Sequence, residues 1–489
     1  MRINFFTILF CILGTVLNST AQDLRFNPDR YEKSSLSMPD GTDVSFKSYE
    51  GIYYVRNIED SLYQTLNIYV PDNLREDSPI FLRTYIGGYM ASTAKSPSAT
   101  DASGRALQEG YIVSIPGSRG SNSKVMKDGK EIYTGKAPNG LLDLKAAVRY
   151  LKFNDDLIPG NSNKIITDGT SAGGAMSALV GTTGNYKGYE AMLKKMGAAD
   201  ATDDIWAAVC YCPITDLNHA DMEYEWLYGC TNTGVRHLDE AQIKISNELA
   251  SLCPDYINSL KLKDKNGNDI NSENYKEFLK SFLIASAQKA KDEGAEVPDS
   301  IGFIYYSEKP SFGDGRRAPS FGTGGRPPRF HRQSEFIVGL DLDKYLSYVA
   351  SVTPLKTPPA FDSWGVLTDF ASPENQVFGN TKGEPANFTD FSLEHHLEDP
   401  KARLSNEIKE RVKLMNPMDF IEDSKADKAP HWYIRHGAKD RDTSFLVPVN
   451  LATKLSNAGY DVNFFLPWNR PHSGDYNLND LFEWLDSLQ

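Results

Sequence analysis

The sequence predicts an α/β protein: a mostly parallel sheet with helices on both faces, interrupted by a large, mostly helical insertion. Three observations carry this. Short apolar runs ending in glycine turns alternate with helical patterns up to about Asp216. Between residues 217 and 410 the text turns helical and irregular. After about residue 410 the alternation resumes, so one α/β unit interrupted by an insertion explains the order better than two domains in series.

The chain opens with "MRINFFTILFCILGTVLNSTAQ", one basic residue, an apolar run from Ile3 to Leu17 and small residues before Ala21. This is the pattern of a secretory signal peptide over 1–21, and the run is too short to span a membrane comfortably. Export to the periplasm or the extracellular space is expected, with no stable membrane association after cleavage.

The first part of the core is assigned to 22–216. Val44 to Pro71 alternates and is rich in Tyr and β-branched residues, which predicts antiparallel strands. "PIFLRTYIGG" and "GYIVSIPGSRG" read as short buried strands. The helix "LLDLKAAVRYLKF" places Leu141, Leu142, Leu144, Ala147, Val148 and Leu151 on one face. The strand "KIITD", the helix "GAMSALVG" and the strand "IWAAVCYCPI" follow.

The insertion, 217–410, holds the helical patterns "EAQIKISNELASL", "NYKEFLKSFLIASAQKAKDEG" and "DLDKYLSYVASV". Its segment 312–332 has five arginines and five glycines and is expected to be a flexible loop. The second part of the core, 411–489, brings "APHWYIRHG", "DVNFFLPWNRPHSG" and the closing helix "LNDLFEWLDSL".

The chain has 489 residues, long enough to bury a large core, and 40% hydrophobic with 24% charged residues is ordinary for a globular protein. A net charge of −13 argues against nucleic acid or an anionic membrane as partner. Beyond the leader, Cys210, Cys212, Cys230 and Cys253 remain. Export permits disulfides, and mostly structural thiols with at most one bridge are expected. Cys210 and Cys212 are expected to face opposite sides and not to pair with each other. The pair lacks further ligands at zinc-site spacing.

The chemistry starts at "GTSAGG", with Ser171 between Gly169 and Gly173. Between a strand and an apolar helix, G-x-S-x-G is a nucleophile elbow, a turn so tight that side chains flanking the serine would clash. It exposes the hydroxyl at the sheet edge and leaves the Ala172 N–H at a helix start to meet an oxyanion. A second N–H is expected from Gly87 and Gly88 in "TYIGGYM". A serine hydroxyl needs a base. His472, in "WNRPHSGDY" between the last strand and the last helix, fits the expected order Ser, acid, His with Asp440 in "RHGAKDRDTS". His436, in the same stretch, is its rival but precedes the acid. Arg119 in "PGSRGSN" is expected in a buried ion pair, and Arg441 is expected to point away from the site.

With "TYIGGYM", "DGTSAGG", "LKTPPAFD", "ENQVFG", "RHGAKDRDTS" and "PWNRPHSGDY" in view, the chain resembles the bacterial tannases (tannin acylhydrolases) of the tannase and feruloyl esterase group. The resemblance runs from about residue 50 to the C-terminus, with the insertion matched only in patches. It implies an α/β-hydrolase fold with a helical lid and a serine esterase acting on galloyl or other aromatic esters. It also implies Ser171, Asp440 and His472 as the triad, no metal and no organic cofactor, and Lys356, Glu374 and Asp442 as the grip on three phenolic hydroxyls. Fungal-type members place bridged cysteines beside the serine and histidine; here Thr170 and Ser473 stand there. The alternatives are a feruloyl or general carboxylesterase with the same triad, a serine exopeptidase using Glu374 or Asp442 for a free amino terminus, and a non-catalytic adhesion module.

Overall fold

A computed structural model describes residues 23–307, 335–364 and 372–489. The leader, the whole Gly/Arg-rich segment 312–332 and residues 365–371 lie outside the described residues. Among the described residues there are thirteen strands: β1 (Glu32–Ser37), β2 (Asp43–Tyr53), β3 (Thr65–Pro71), β4 (Pro79–Arg83), β5 (Ile112–Pro116), β6 (Lys124–Lys127), β7 (Lys130–Tyr133), β8 (Asn161–Thr170), β9 (Ala207–Tyr211), β10 (Phe303–Ser307), β11 (Glu335–Leu340), β12 (His431–Arg435) and β13 (Asp461–Phe465). Nine form one sheet in the order β1-β2-β3-β5-β4-β8-β9-β12-β13. The first joins are antiparallel, and from β5 onward every pair is parallel. The fold is the α/β-hydrolase arrangement expected from the sequence.

The central strands are buried on both faces, as parallel strands flanked by helices must be. Ile80, Leu82, Ile165, Ala208, Cys210, Trp432 and Ile434 pack into one layer. Their alternates Phe81, Ile166, Val209 and Tyr433 pack into the other, with Leu481, Phe482 and Leu485 of the closing helix (Leu478–Ser487). Each such large side chain contributes ~1.5–3 kcal/mol by leaving water.

The helix Asn139–Phe153 buries its predicted leucine face, and it also buries Asp143, Lys145 and Arg149. Charges are tolerated there because each has a partner. Asp143 meets Arg119 at 2.9 Å, the buried pair expected for that arginine, and Lys145 and Arg149 both meet Asp203 at 2.7 Å.

Between β9 and β12 lie the helices Leu217–Tyr228, Glu240–Leu260, Tyr275–Asp292, Leu342–Val352, Pro373–Phe378, Asp390–Leu397 and Asn406–Leu414. They are joined by a feature the sequence reading lacked, the antiparallel ribbon β10–β11. β6 and β7 form a second small hairpin beside the core.

The four described cysteines are free, so the one bridge allowed for among them is not formed. Cys210 and Cys212 do enter different layers. The reason is not strand alternation, since positions two apart in a strand share a face. Cys212 has already left β9 with φ 43°. No described helix is long and apolar enough to cross a membrane.

Candidate active site

The parallel strands deliver their carboxyl ends to one edge, where ligands meet open α/β sheets. β8 ends at Ser171, β12 runs into the Asp440 loop and β13 into the His472 loop.

Ser171 has φ 62° and ψ −124°, a conformation that costs a non-glycine residue on the order of 1–3 kcal/mol. It is held from both sides: its N–H donates to the Tyr211 carbonyl at 2.9 Å, and its carbonyl accepts from Ala175 N–H at 2.9 Å. The flanking glycines are sterically required. A Cβ on Gly169 would stand 2.4 Å from the Gly173 carbonyl oxygen, and one on Gly173 would stand 2.9 Å from that of Ile86. The helix Ala172–Thr182 starts at the next residue, and its first amides have no partner within the helix.

That Ile86 contact also lays the turn after β4 against the elbow. Met90 N–H donates to the Gly87 carbonyl at 3.0 Å, and Gly88 and Tyr89, between them, have φ of 55° and 54°. Positive φ at both central positions is the type I′ pattern, which glycine adopts without strain. Tyr89 is locked by its hydroxyl, which donates to the Ile214 carbonyl at 2.6 Å.

His472 Nδ1 lies 2.7 Å from Asp440 Oδ2, and Asp440 Oδ1 accepts the Asp442 N–H at 2.8 Å. Burial alone would raise the Asp440 pKa, but His436, His472 and the Asp442 amide bring it down to about 2. Burial also keeps His436 neutral, so His472 and the amide are the main cause. Burial opposes the charged form of His472, yet its bond to Asp440 and the charges of Asp440 and Asp442 raise its pKa overall.

His436, the rival base, is fully buried, with Nδ1 3.5 Å from the same Asp440 oxygen. It packs behind the acid, away from solvent. His472 keeps a side-chain exposure of 21%, which fits a base that must reach a substrate.

The loop bearing His472 is pressed onto the elbow. A Cβ on Gly474 would sit 1.9 Å from Thr170 Oγ1, and Cys212 Sγ donates to the Ser473 carbonyl at 3.2 Å. Buried Arg83, at the end of β4, pairs with Asp168 of β8 and, at 2.6 Å, with Asp475 beyond His472. A charged residue inside the apolar run "PIFLRTY" was the sequence signal for this clamp, and it was not read.

Of the remaining predicted residues, Asp442 Oδ2 stands 3.7 Å from His472 Nδ1. Arg441 does not point away as expected; its Nη1 pairs with Asp442 Oδ1 at 2.9 Å. Glu374 is buried in the first turn of the helix Pro373–Phe378, which Ser372 caps by accepting the Asn375 N–H at 2.9 Å. A Cβ on Gly88 would stand 3.9 Å from Pro373 Cβ, so the glycine turn and Glu374 are neighbours. Burial raises the Glu374 pKa, and the nearby Lys356 ammonium partly offsets this. The same ammonium opposes protonation of His472, so its charge is felt at both groups. Its Nζ also lies 4.0 Å from the Phe361 ring centroid. Asp440, Asp442 and His472 place ligand-type atoms within 4.8 Å of one another, as do Cys212, His436 and Asp440.

A tannase of Fusobacterium nucleatum is 35% identical over 95% of this chain and 99% of its own, with a TM-score of 0.81. The chain belongs to the bacterial tannase family. This tannase is similar to the tannin acyl hydrolase of Lactobacillus plantarum, at 34% identity, 95% and 98% coverage and a TM-score of 0.79. It is similar in the same measure to a tannin acyl hydrolase solved with ethyl gallate, with a TM-score of 0.80. The BD-FAE family model matches residues 66–255. No curated protein matches the chain. As a tannase it is a carboxylic-ester hydrolase.

Proposed function

We propose that this tannase is exported and hydrolyses galloyl esters by a Ser-His-Asp acyl-enzyme mechanism, releasing gallic acid. The observation that carries the reading is the meeting of two carboxylates at one histidine. Asp440 bonds His472 Nδ1 at 2.7 Å, and Asp442 Oδ2 lies 3.7 Å from the same nitrogen.

In this reading Asp440 fixes the tautomer that leaves His472 Nε2 as the base. His472 takes the Ser171 proton as Oγ attacks the ester carbonyl. The amides of Gly88, in the Gly87–Gly88 turn, and of Ala172 donate hydrogen bonds to the oxyanion. The imidazolium, stabilised by Asp440, then protonates the leaving alcohol, and water repeats the cycle to free the acid. Asp442 and Glu374 accept phenolic hydroxyls, each charge-assisted bond contributing ~1.5–3 kcal/mol, and Lys356 donates to a phenolic oxygen. Relatives solved with ethyl gallate and with 3,4-dihydroxybenzoate support a ring of this class. The leader over residues 1–21 supports export.

The test is kcat/KM on methyl gallate, methyl ferulate, p-nitrophenyl acetate and an aminoacyl amide. The gallate ester should be strongly preferred over the ferulate, and Ser171→Ala should abolish all turnover. Equal rates on gallate and ferulate would sink the ring grip, and cleavage of the amide would favour the peptidase reading.

A further inference from the structure

We propose that Tyr224 is a positioning residue that sets the spacing of Lys356 and Asp442, and with it the preference for polyhydroxylated rings. The inference rests on the ring grip proposed above.

Tyr224 lies on the first insertion helix, Leu217–Tyr228, and is fully buried. Its hydroxyl donates to the Arg441 carbonyl at 2.8 Å and accepts the Lys356 N–H at 3.0 Å. A phenol has one proton to give and lone pairs to receive, and this one is used both ways. Arg441 directly precedes Asp442, so a single oxygen ties the peptide of one proposed ring contact to the residue beside the other.

The rest of the Lys356 peptide is held just as firmly. Its carbonyl accepts from Arg236 Nε at 2.9 Å. Arg236 is itself clamped bidentately by Glu225, at 2.6 and 2.8 Å, and Glu225 accepts from Ser246 at 2.6 Å. Arg236 and Glu225 have almost no exposed side chain, at 2% and 0%. On the other side, Tyr228 donates to the Asp440 carbonyl at 3.3 Å and Tyr345 to that of Ala438. Three insertion tyrosines thus hold the catalytic loop by its backbone, and only Tyr224 also holds Lys356.

None of these groups needs to touch substrate. Their effect is to place Lys356 and Asp442 at a fixed separation before a ring arrives, so that binding does not have to order the two loops.

The test is Tyr224→Phe, which keeps the ring and removes the bridge. Methyl gallate, methyl 4-hydroxybenzoate and p-nitrophenyl acetate are compared with wild type. KM for methyl gallate is expected to rise about 10-fold, with kcat for p-nitrophenyl acetate within about twofold of wild type. The ratio of kcat/KM for gallate over 4-hydroxybenzoate should fall with it. An unchanged ratio, or an equal loss on all three esters, overturns the inference. Lys356→Met and Asp442→Ala in the same assay separate the two ideas. If they collapse the ratio and Tyr224→Phe does not, the bridge is wrong and the grip stands. If they leave the ratio unchanged, the grip itself is wrong. Should Tyr224→Phe not fold, Arg236→Lys carries the same test, keeping the charge beside Glu225 but losing the fork onto the Lys356 carbonyl.

Discussion

The backbone N–H of Asp442 donates to the side chain of Asp440 at 2.8 Å. Two acids two residues apart are given different surroundings: one carboxylate is fully buried against His472, the other keeps 30% of its side chain exposed.

Asp440→Asn should lower kcat on every ester, by roughly 10³- to 10⁴-fold, because the imidazole loses its orienting acceptor. Asp442→Ala should cost roughly 10- to 100-fold in kcat/KM on gallate esters and little on p-nitrophenyl acetate. Steady-state kinetics on both substrates decides it; matched losses in both variants would refute the division of labour.

The pH profile has a defined sign. The proposed mechanism needs neutral His472, whose pKa is raised, so kcat/KM should fall as pH drops through a value above the ordinary ~6.5 of a histidine. Asp440→Asn, measured on p-nitrophenyl acetate, should move that limb to lower pH. The couple also contributes to stability. The depressed Asp440 pKa stabilises the fold above ~3.9 and that gain is lost as pH falls toward about 2. The raised His472 pKa stabilises below ~6.5 and is lost as pH climbs through its folded value. Thermal unfolding should therefore show this couple helping most between about 4 and 6.5.

Gly474→Ala should displace the His472 loop, since its Cβ would fall 1.9 Å from Thr170 Oγ1. A shift of that order costs roughly 100-fold in kcat on all esters. Circular dichroism should stay near that of the wild type. Thr170→Ala added to Gly474→Ala should recover part of the loss, because the colliding oxygen is gone; no recovery would mean the contact is not the cause.

Thiol titration of the chain from residue 23 onward should find one accessible group, the exposed Cys230, in the native protein and four in denaturant. Cys230 should react slowly, because burial of its sulfur pushes its pKa up to about 11. Reductant should leave the melting temperature unchanged. Fewer than four thiols in denaturant would reveal a bridge.

Ser171 was legible because an elbow is local chemistry: glycines, a strand before and a helix after all lie within a few residues. Asp440 and His472 followed from chain order, and the sheet from alternation of apolar runs. Lys356 and Glu374 have no local signature, and only resemblance to a family picked them out. Arg441 was misread because pairing with the adjacent Asp442 depends on how the loop turns, which the Asp442 N–H to Asp440 bond decides. The ribbon β10–β11 was missed because "FIYYS" and "EFIVGL" are separated by the Gly/Arg-rich stretch. Tyr224 could not be found at all, since its meaning lies in two contacts 132 and 217 residues away.

Strands β9 and β12 are hydrogen-bonded neighbours, although the whole insertion runs between them in sequence. The proposed catalytic groups Ser171, Asp440 and His472 all follow strands of the sheet, while Tyr224, Tyr228 and Tyr345 of the insertion steady the Asp440 loop by its backbone. Lys356 and Glu374 belong to the insertion. Exchanging that segment between relatives, with the β9 and β12 junctions and Tyr224, Tyr228 and Tyr345 kept, offers a route to retarget the enzyme to other aromatic acids while keeping the Asp440 loop in place.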